Sequence, residues 1–202
     1  MPDQRLGGRL PLLDPEALTP EQRNLYDRIV STMGAWAQRI GFESRTADGR
    51  LIGPFNPVLL SPATADAFLQ LQIKEAQTTS LSERVRQVVI LTVGSVWQAS
   101  YELYAHAAAA RVAGFSPDAI RALSAGDAPA ELSEQERVAQ QFTLQLACDR
   151  RVGDELYQIA VRQFGARGVV DMIVLAGCYH LVCSLLNAFA VPAPECLGRE
   201  QR

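Results

Sequence analysis

Apolar residues recur at helical spacing along most of the chain, and start and stop signals separate the segments. The first such segment has its apolar residues on one helical face: Leu25, Ile29, Met33 and Trp36. Thr19-Pro20-Glu21-Gln22 precedes it and forms a capping box with proline at the first helical position. Gly41 is the expected stop of this helix. Residues 1–18, rich in Pro and Gly, are expected to form an extended arm.

The segment after this helix reads FESRTADGRLIGPFNPVLLSP and carries turn signals instead of a helical pattern. Asp48-Gly49 marks a turn, and Pro54, Pro57 and Pro62 forbid a continuous helix. A loop of about twenty residues in a compact domain is usually functional or disordered. Its many Leu, Ile, Phe and Val residues predict that this one is ordered and packs onto the domain.

From residue 62 onward every pattern is helical, and we predict seven helices. The first spans about 63–77, and the last two are separated by Gly165, with the final one ending near Phe189. The start signals for the others are Ser80 with Glu83, Ser100, Ser116 with Pro117, Ser133 with Glu136, and Gly153 with Asp154. No segment alternates apolar and polar residues, so the predicted fold class is all-α.

This reading divides the chain into three parts. Residues 1–61 are an N-terminal arm, helix and loop, residues 62–195 form the helical domain, and residues 196–202 are a tail. The length of 202 residues allows one ordinary globular domain. Apolar residues make up 48% and charged residues 20% of the chain, which is typical of a soluble protein.

Charge and histidine content exclude several classes of function. The formal net charge of −3 gives no electrostatic reason to expect a nucleic acid or an anionic membrane surface as partner. The chain has two histidines, His106 and His180, too few for a metal site of four histidines. General acid–base chemistry near neutral pH therefore has few candidates.

The four cysteines are Cys148, Cys178, Cys183 and Cys196, and no two of them are spaced as Cys-x-x-Cys. A chain long enough to bury its own core does not need a disulfide framework. The N-terminal residues contain no continuous apolar stretch typical of a secretory signal. We therefore expect a cytoplasmic protein with reduced thiols.

One stretch is long enough to span a membrane. Residues 172–194 contain no Asp, Glu, Lys or Arg. The stretch includes Gly177, His180, Ser184 and Asn187, and it ends in Val-Pro-Ala-Pro. This composition favours a helix buried in an oligomer over a membrane span.

Glu102 and His106 are four residues apart, so they share one helical face. If Ser100 caps this helix, Glu102 lies in the first turn, where the helix dipole favours a carboxylate. A carboxylate one turn from an imidazole orients it and favours the imidazolium, which can then donate a proton. The alternative is a surface ion pair that contributes about 0.3–0.5 kcal/mol to stability.

The stretch LSERVRQVVILTVGSVWQASYELYAHAAAARVAGFSPDAIRAL resembles the carboxymuconolactone decarboxylase family, which has the alkylhydroperoxidase D-like fold. An Arg-rich helix start with Arg84 and Arg86 comes first, then Glu102-Leu-x-x-His106, then Ala-Gly-Phe-Ser. GPFNPVLLSP upstream and LLNAFAVPAP downstream are similar to further segments of the family. The resemblance covers about residues 50–195 and rests on the order and spacing of these motifs.

The peroxidase branch of this family carries Cys-x-x-Cys-x-x-x-His. Counted back from His106, its two cysteine positions are Ala99 and Glu102, and its upstream glutamate is Gln87. The redox couple is therefore missing, and peroxide reduction by the family route is not expected. Glu102 at the second position instead resembles the decarboxylase branch, which implies a cofactor-independent carboxy-lyase acting on a small carboxylated lactone or a related carbonyl acid.

The resemblance implies roles for particular residues. His106 is the expected proton donor to an enolate, and Glu102 orients it. Arg86 is either the cation that binds a substrate carboxylate or a residue of a subunit interface. Trp97, Tyr101 and Tyr104 are either walls of the substrate pocket or ordinary core. His180 is either a second substrate-contacting group or a neutral, buried histidine.

Other functions remain open at this point. The chain could be a silent oligomeric binding protein of the same fold, or an antioxidant that uses Cys178 and Cys183. A metal held by Glu102, His106 and His180 is conceivable, but the sequence offers no further ligand, so we expect no metal and no cofactor. The expected partners are a small-molecule substrate and further copies of the chain in a trimer or hexamer, with no nucleic acid or membrane.

Overall fold

The structure is a computed structural model that describes residues 2–194, with side chains described from Arg5 onward. Cys196 and the predicted tail lie outside the described residues. Within the described part the chain is helical, and its β-type pairing is a single isolated bridge between Arg45 and Leu51. The predicted all-α class is confirmed.

The sequence predicted an extended N-terminal arm, and this prediction is wrong in part. It contains two short 3₁₀ helices, Pro2–Gly7 and Pro15–Ala17, and the side chain of Asp14 caps the second. Leu6 and Leu12 are buried in the domain, which explains why the arm folds onto the domain.

The first long helical segment begins as predicted. Helix α1 (Pro20–Ile29) has the capping box of Thr19 and Gln22. A wider π-helical segment, Val30–Gly34, leads directly into α2 (Ala35–Ile40). Gly41 ends α2 in the left-handed conformation, with φ 93°.

The loop after α2 is ordered and packs onto the domain. It includes one short helix, α3 (Phe55–Val58), that its prolines did not suggest. Pro57 is tolerated there because a first-turn residue needs no intrahelical N–H bond. Leu51, Ile52 and Leu59 are buried, whereas Leu60 faces solvent.

The remaining helices form the body of the domain. They are α4 (Pro62–Thr78), α5 (Glu83–Trp97), α6 (Ser100–Val112), α7 (Pro117–Ala125), α8 (Glu134–Asp149) and α9 (Asp154–Ala188). Gly165 interrupts the helical path inside α9 with φ 68° and ψ 169°, where the sequence predicted a stop. Helix α5 packs against α6, α7, α8 and α9, and its residues from Val85 to Gly94 are all buried.

Two predicted caps are wrong, and both are off by one or two residues. Ser82, not Ser80, caps α5 by accepting from the N–H of Val85, while the Ser80 hydroxyl donates to Asp171. Ser100 is the first residue of α6, so its side chain makes no cap. The Ser116 cap and the Ser133–Glu136 capping box are confirmed.

Helix α9 is long and apolar enough to cross a membrane by length and composition alone, but 44% of its apolar window is buried inside the chain. One such helix is weak evidence for a membrane span. Val170, Ile173 and Leu181 remain exposed on α9. The expected homo-oligomer and the cytoplasmic location stay predictions.

Candidate active site

A cavity of about 550 Å³ lies between the N-terminal helices and α4, α5, α6 and α9. Its volume is in the range of small-molecule sites. Most of its walls are apolar, and its polar residues cluster on α4, α5 and α6. Its polar and aromatic lining residues include Trp36, Glu75, Arg86, Gln87, Tyr101, Glu102, His106 and Tyr179.

Glu102 and His106 lie in this cavity as a contacting pair. Because α6 begins at Ser100, Glu102 falls in its first turn and His106 one turn later. Glu102 Oε1 is 3.2 Å from His106 Nε2, and the two side chains are 4% and 5% exposed. The burial excludes the interpretation of this pair as a surface ion pair.

Burial sets the charge of this pair. Burial raises the pKa of Glu102 to about 8. Burial, reinforced by the positive charge of Arg86, lowers the pKa of His106 to about 3. Near pH 7 the predominant forms are a carboxylic acid and a neutral imidazole.

The expected carboxylate and imidazolium are therefore wrong. A helix dipole contributes about 0.3–1 kcal/mol, whereas burying an ion costs several kcal/mol. The charges also agree with the contacts, because Glu102 Oε1 is the one fully buried side-chain oxygen or nitrogen of the described residues with no hydrogen-bond partner. A proton on that oxygen would let it donate to Nε2.

Gln87 bonds to the other side of the imidazole. Its Oε1 is 2.9 Å from His106 Nδ1, and its Nε2 donates to Glu83 Oε1 over 2.6 Å. The sequence pattern indicated Gln87 only as the place where a proton relay is lost. The structure shows it in direct contact with His106.

Two aromatic rings hold the imidazole in place. Tyr179 packs edge-on against His106, with ring centroids 4.9 Å apart, and Trp36 packs at 5.7 Å. Sequence reasoning missed both as site residues. Trp36 fitted an ordinary helix face, and Tyr179 lies within an apolar helix where only its neighbour His180 drew attention.

Arg86 lines the cavity, but its charge is already matched. Its guanidinium is hydrogen-bonded to the buried carboxylate of Glu75 and lies 3.4 Å from Glu83 Oε2. Burial alone would lower the pKa of Arg86, and the Glu75 carboxylate outweighs it and raises that pKa. A substrate carboxylate at Arg86 would therefore have to share the guanidinium with Glu75.

Tyr101 also lines the cavity, as expected for a wall. Its hydroxyl donates to the Glu43 carbonyl over 2.6 Å, and burial raises its pKa well above the usual value. Gly53 of the loop packs on its ring, and a Cβ at Gly53 would lie 2.3 Å from ring carbons. Tyr104 does not line the cavity, and its hydroxyl accepts from the Glu43 N–H.

Trp97 and His180 are not part of the cavity lining, so the structure separates them from His106. The indole N–H of Trp97 donates to His180 Nδ1 over 2.6 Å. Burial lowers the pKa of His180. These two residues satisfy each other, and the geometry gives neither of them a place beside a ligand in this cavity.

Cys178 and Cys183, the two thiols of the antioxidant hypothesis, are poorly placed for redox chemistry. Cys178 lines the cavity, but burial raises its pKa to about 11. Burial raises the pKa of Cys183 as well, and Cys148 is an exposed free thiol. Since the thiolate is the reactive form, these pKa values disfavour the antioxidant hypothesis.

Within residues 2–194 no group of three or more His, Cys, Asp or Glu side chains is placed to hold a metal ion.

Solved structures with the same fold cover nearly the whole chain. A peroxidase-related protein from Silicibacter sp. TM1040 is 18% identical with a TM-score of 0.69, over 95% of each chain. A second one, from Ralstonia eutropha JMP134 and described as an alkylhydroperoxidase AhpD core, is 14% identical with a TM-score of 0.73, over 95% of this chain and 94% of that one. These similarities establish the fold.

A third similar structure is the debrominase Bmp8, solved as a cysteine-to-alanine variant in complex with 2,3,4-tribromopyrrole. It is 15% identical with a TM-score of 0.67, over 92% of this chain and 97% of that one. None of the curated proteins matches the chain in sequence.

The sequence profile of the carboxymuconolactone decarboxylase family matches residues 62–145. This stretch extends from α4 into α8 and contains Gln87, Glu102 and His106. Residues 62–145 therefore match the carboxymuconolactone decarboxylase family, and the chain has the fold of the alkylhydroperoxidase AhpD core structure.

Proposed function

We propose that the protein is a cofactor-independent carboxy-lyase acting on a small carboxylated lactone or a related carbonyl acid. The observation that carries the proposal is the buried pair of Glu102 and His106 in an apolar cavity. Two comparisons add support. The matching family is named for a decarboxylase, and a protein of similar fold binds a small ring, 2,3,4-tribromopyrrole.

The first chemical step needs an apolar site and an electron sink. The bond between the substrate carboxylate and its α-carbon breaks, CO₂ leaves, and the electron pair enters the conjugated carbonyl as an enolate. A compact carboxylate loses more solvation on entering an apolar cavity than a delocalised enolate does. The walls of this cavity therefore favour the charge movement that releases CO₂.

The second step is proton transfer to the enolate carbon. Glu102 is the donor in this scheme, because its carboxyl group is protonated near neutral pH. His106 Nε2 faces the same proton and holds the acid in place. Glu102 regains a proton from solvent after turnover. This exchanges the roles that the sequence suggested, where His106 was the donor.

A second carboxylate on the substrate could bind at Arg39. This side chain is exposed, lines the cavity, and forms no ion pair with another described residue. Guanidinium suits a carboxylate because both groups are planar and can form two parallel hydrogen bonds. Arg86 is the less favourable anchor, because Glu75 already occupies its guanidinium.

A direct assay of CO₂ release from carboxylated lactones tests the proposal. Glu102→Gln and His106→Ala should each lower turnover by at least about 100-fold, the usual size of a lost general acid. His180→Ala is the matched histidine control, because His180 lies outside the cavity, and its turnover should be retained. Full turnover in a folded His106→Ala variant would overturn the assignment.

A binding protein without catalysis is the second candidate. The ion pair between Arg86 and Glu75 favours this candidate, because the Arg86 guanidinium is then not available to bind a substrate carboxylate. Isothermal titration with the same lactone acids separates the two functions. Tight binding that is unchanged in Glu102→Gln, together with no CO₂ release from the wild type, would support the binding protein.

A further inference from the structure

The amide of Gln87 connects an exposed carboxylate to the buried imidazole. Gln87 is 2% exposed and sits one turn after Glu83 on α5. Its Nε2 donates to Glu83 Oε1 over 2.6 Å, and its Oε1 lies 2.9 Å from His106 Nδ1. Each polar end of the amide therefore has one partner.

These partners determine the orientation of the amide. An ionised carboxylate only accepts hydrogen bonds, so the NH₂ end of Gln87 must face Glu83. The carbonyl end then faces His106. A carbonyl oxygen also only accepts, so His106 Nδ1 must carry a hydrogen and donate it.

The assignment of Nδ1 decides the state of the other nitrogen. In a neutral imidazole one nitrogen is a donor and the other an acceptor. His106 Nε2 is therefore the acceptor, and it lies 3.2 Å from Glu102 Oε1. Trp36 and Tyr179 pack on the ring and oppose a flip that would exchange the two nitrogens.

The outer end of this chain is itself held in place. Arg86 Nε lies 3.4 Å from Glu83 Oε2, and Arg86 is in turn bonded to Glu75. Glu83 is exposed on α5, yet its carboxylate has two partners on the same helix. The groups that fix the amide thus extend from the protein surface to the cavity.

We propose that Gln87, anchored by Glu83, is a positioning residue that fixes His106 as the Nδ1–H tautomer, so that Nε2 accepts the proton of Glu102. An amide suits this task because it accepts from Nδ1 without adding a negative charge. A carboxylate at the same position would stabilise an imidazolium instead. The catalytic consequence rests on the proposed carboxy-lyase function, whereas the tautomer itself does not.

Histidine ¹⁵N NMR of the substrate-free protein reads the tautomer directly. The chain has two histidines, and they should show opposite tautomers, because His180 Nδ1 accepts from Trp97 and its hydrogen is then on Nε2. His180 is thus an internal reference. A proton on His106 Nε2 alone in the wild type would overturn the proposal.

Three variants test the role of the amide. Gln87→Met keeps the bulk but removes the acceptor, so His106 should lose its pure Nδ1–H form. Gln87→Glu should instead give an imidazolium with protons on both nitrogens, because a carboxylate at this position stabilises that form. Glu83→Ala frees the amide to rotate by 180° and should give a mixture of tautomers. An unchanged His106 spectrum in Gln87→Met would overturn the positioning role.

Glu134→Ala is the matched control for Glu83. Glu134 is also exposed and is the first residue of its helix, α8. Its loss should leave both histidine tautomers unchanged. A change of the His106 tautomer in this control would overturn the assignment of the effect to Glu83.

Kinetics provide a separate readout once a substrate is known. Gln87→Met should lower kcat about tenfold or more with little change in KM, because Met keeps the bulk of this lining residue and removes its bond to His106. An unchanged kcat, with the tautomer altered, would overturn the catalytic consequence. Failure of CO₂ release in the wild type would instead count against the carboxy-lyase alone, since the NMR experiment uses no substrate.

Discussion

Glu102 Oε1 and His106 Nε2 lie 3.2 Å apart in a cavity, with their side chains almost completely buried. With one proton between these two atoms, Glu102 is a neutral carboxylic acid and His106 is a neutral imidazole. The same proton is the one that the proposed reaction consumes, so the protonation of Glu102 connects activity, stability and pH.

Activity should fall as the pH rises through about 8. The proposed donor is the acid form of Glu102, whose pKa is raised to about 8 by burial. Above that pH, kcat/KM should decrease about tenfold per pH unit. A pH–rate profile from pH 5 to 10 measures this. Activity that instead rises between pH 5 and 7.5 would show that an ordinary imidazole base is required.

The stability of the fold should respond to the same group. The folded pKa of Glu102 lies above its unfolded value, so the folded state binds this proton more tightly. The stabilisation is complete below about pH 4.5 and is lost as the pH rises through about 8. Glu102→Gln removes this titration. As the pH rises from about 4.5 to about 8, the melting temperature of the variant should therefore increase relative to that of the wild type. A constant difference between the two proteins would contradict the raised pKa.

The buried pair of Arg86 and Glu75 should make the fold sensitive to the loss of either partner alone. Removal of one partner leaves a buried, uncompensated charge, which costs about 3–5 kcal/mol. Glu75→Ala should show this loss in urea unfolding, and the double variant Glu75→Leu with Arg86→Met should recover most of it. Asp66→Ala breaks the more exposed pair with Arg28 and should cost only about 0–1 kcal/mol. Equal losses in the two single variants would contradict this assignment.

The native thiols should differ sharply in reactivity. Cys148 is exposed, whereas burial raises the pKa values of Cys178 and Cys183. Brief alkylation at pH 8, mapped by mass spectrometry, should label Cys148 and leave the two buried thiols unmodified. Fast labelling of Cys178 at this pH would revive the antioxidant hypothesis.

Gly53 should be intolerant of a side chain. Its φ is +65°, and an added Cβ would meet the Tyr101 ring at 2.3 Å. Gly53→Ala should therefore destabilise the fold by about 1–3 kcal/mol through backbone strain and overpacking. Gly41→Ala is the matched control, because Gly41 has φ +93° but open space around it. If both variants lose the same stability, the contact with Tyr101 contributes nothing.

Local sequence signals were sufficient for most helix boundaries. The capping boxes at Thr19 and Ser133 formed because each motif uses only its own backbone. Ser80 failed as a cap because Ser82 lies closer to the helix and because Asp171, distant in sequence, binds the Ser80 hydroxyl. Such a long-range competitor is invisible in a local pattern.

The site was only partly predictable for the same reason. The i, i+4 spacing placed Glu102 and His106 together, but their charge depends on burial by other helices. Trp36, Glu75 and Tyr179 come from three different helices that meet only in the folded chain. Their contributions required the tertiary structure.

The cavity draws on two kinds of sequence. Gln87, Glu102 and His106 lie within the segment 62–145 that the family profile matches, whereas Trp36 and Tyr179 lie before and after it. The proposed reacting groups and part of the enclosing wall are thus encoded in separate stretches of the chain. A new ligand could be accommodated by exchanging the flanking stretches while Glu102 and His106 stay untouched, which makes those flanks the natural place to redesign selectivity.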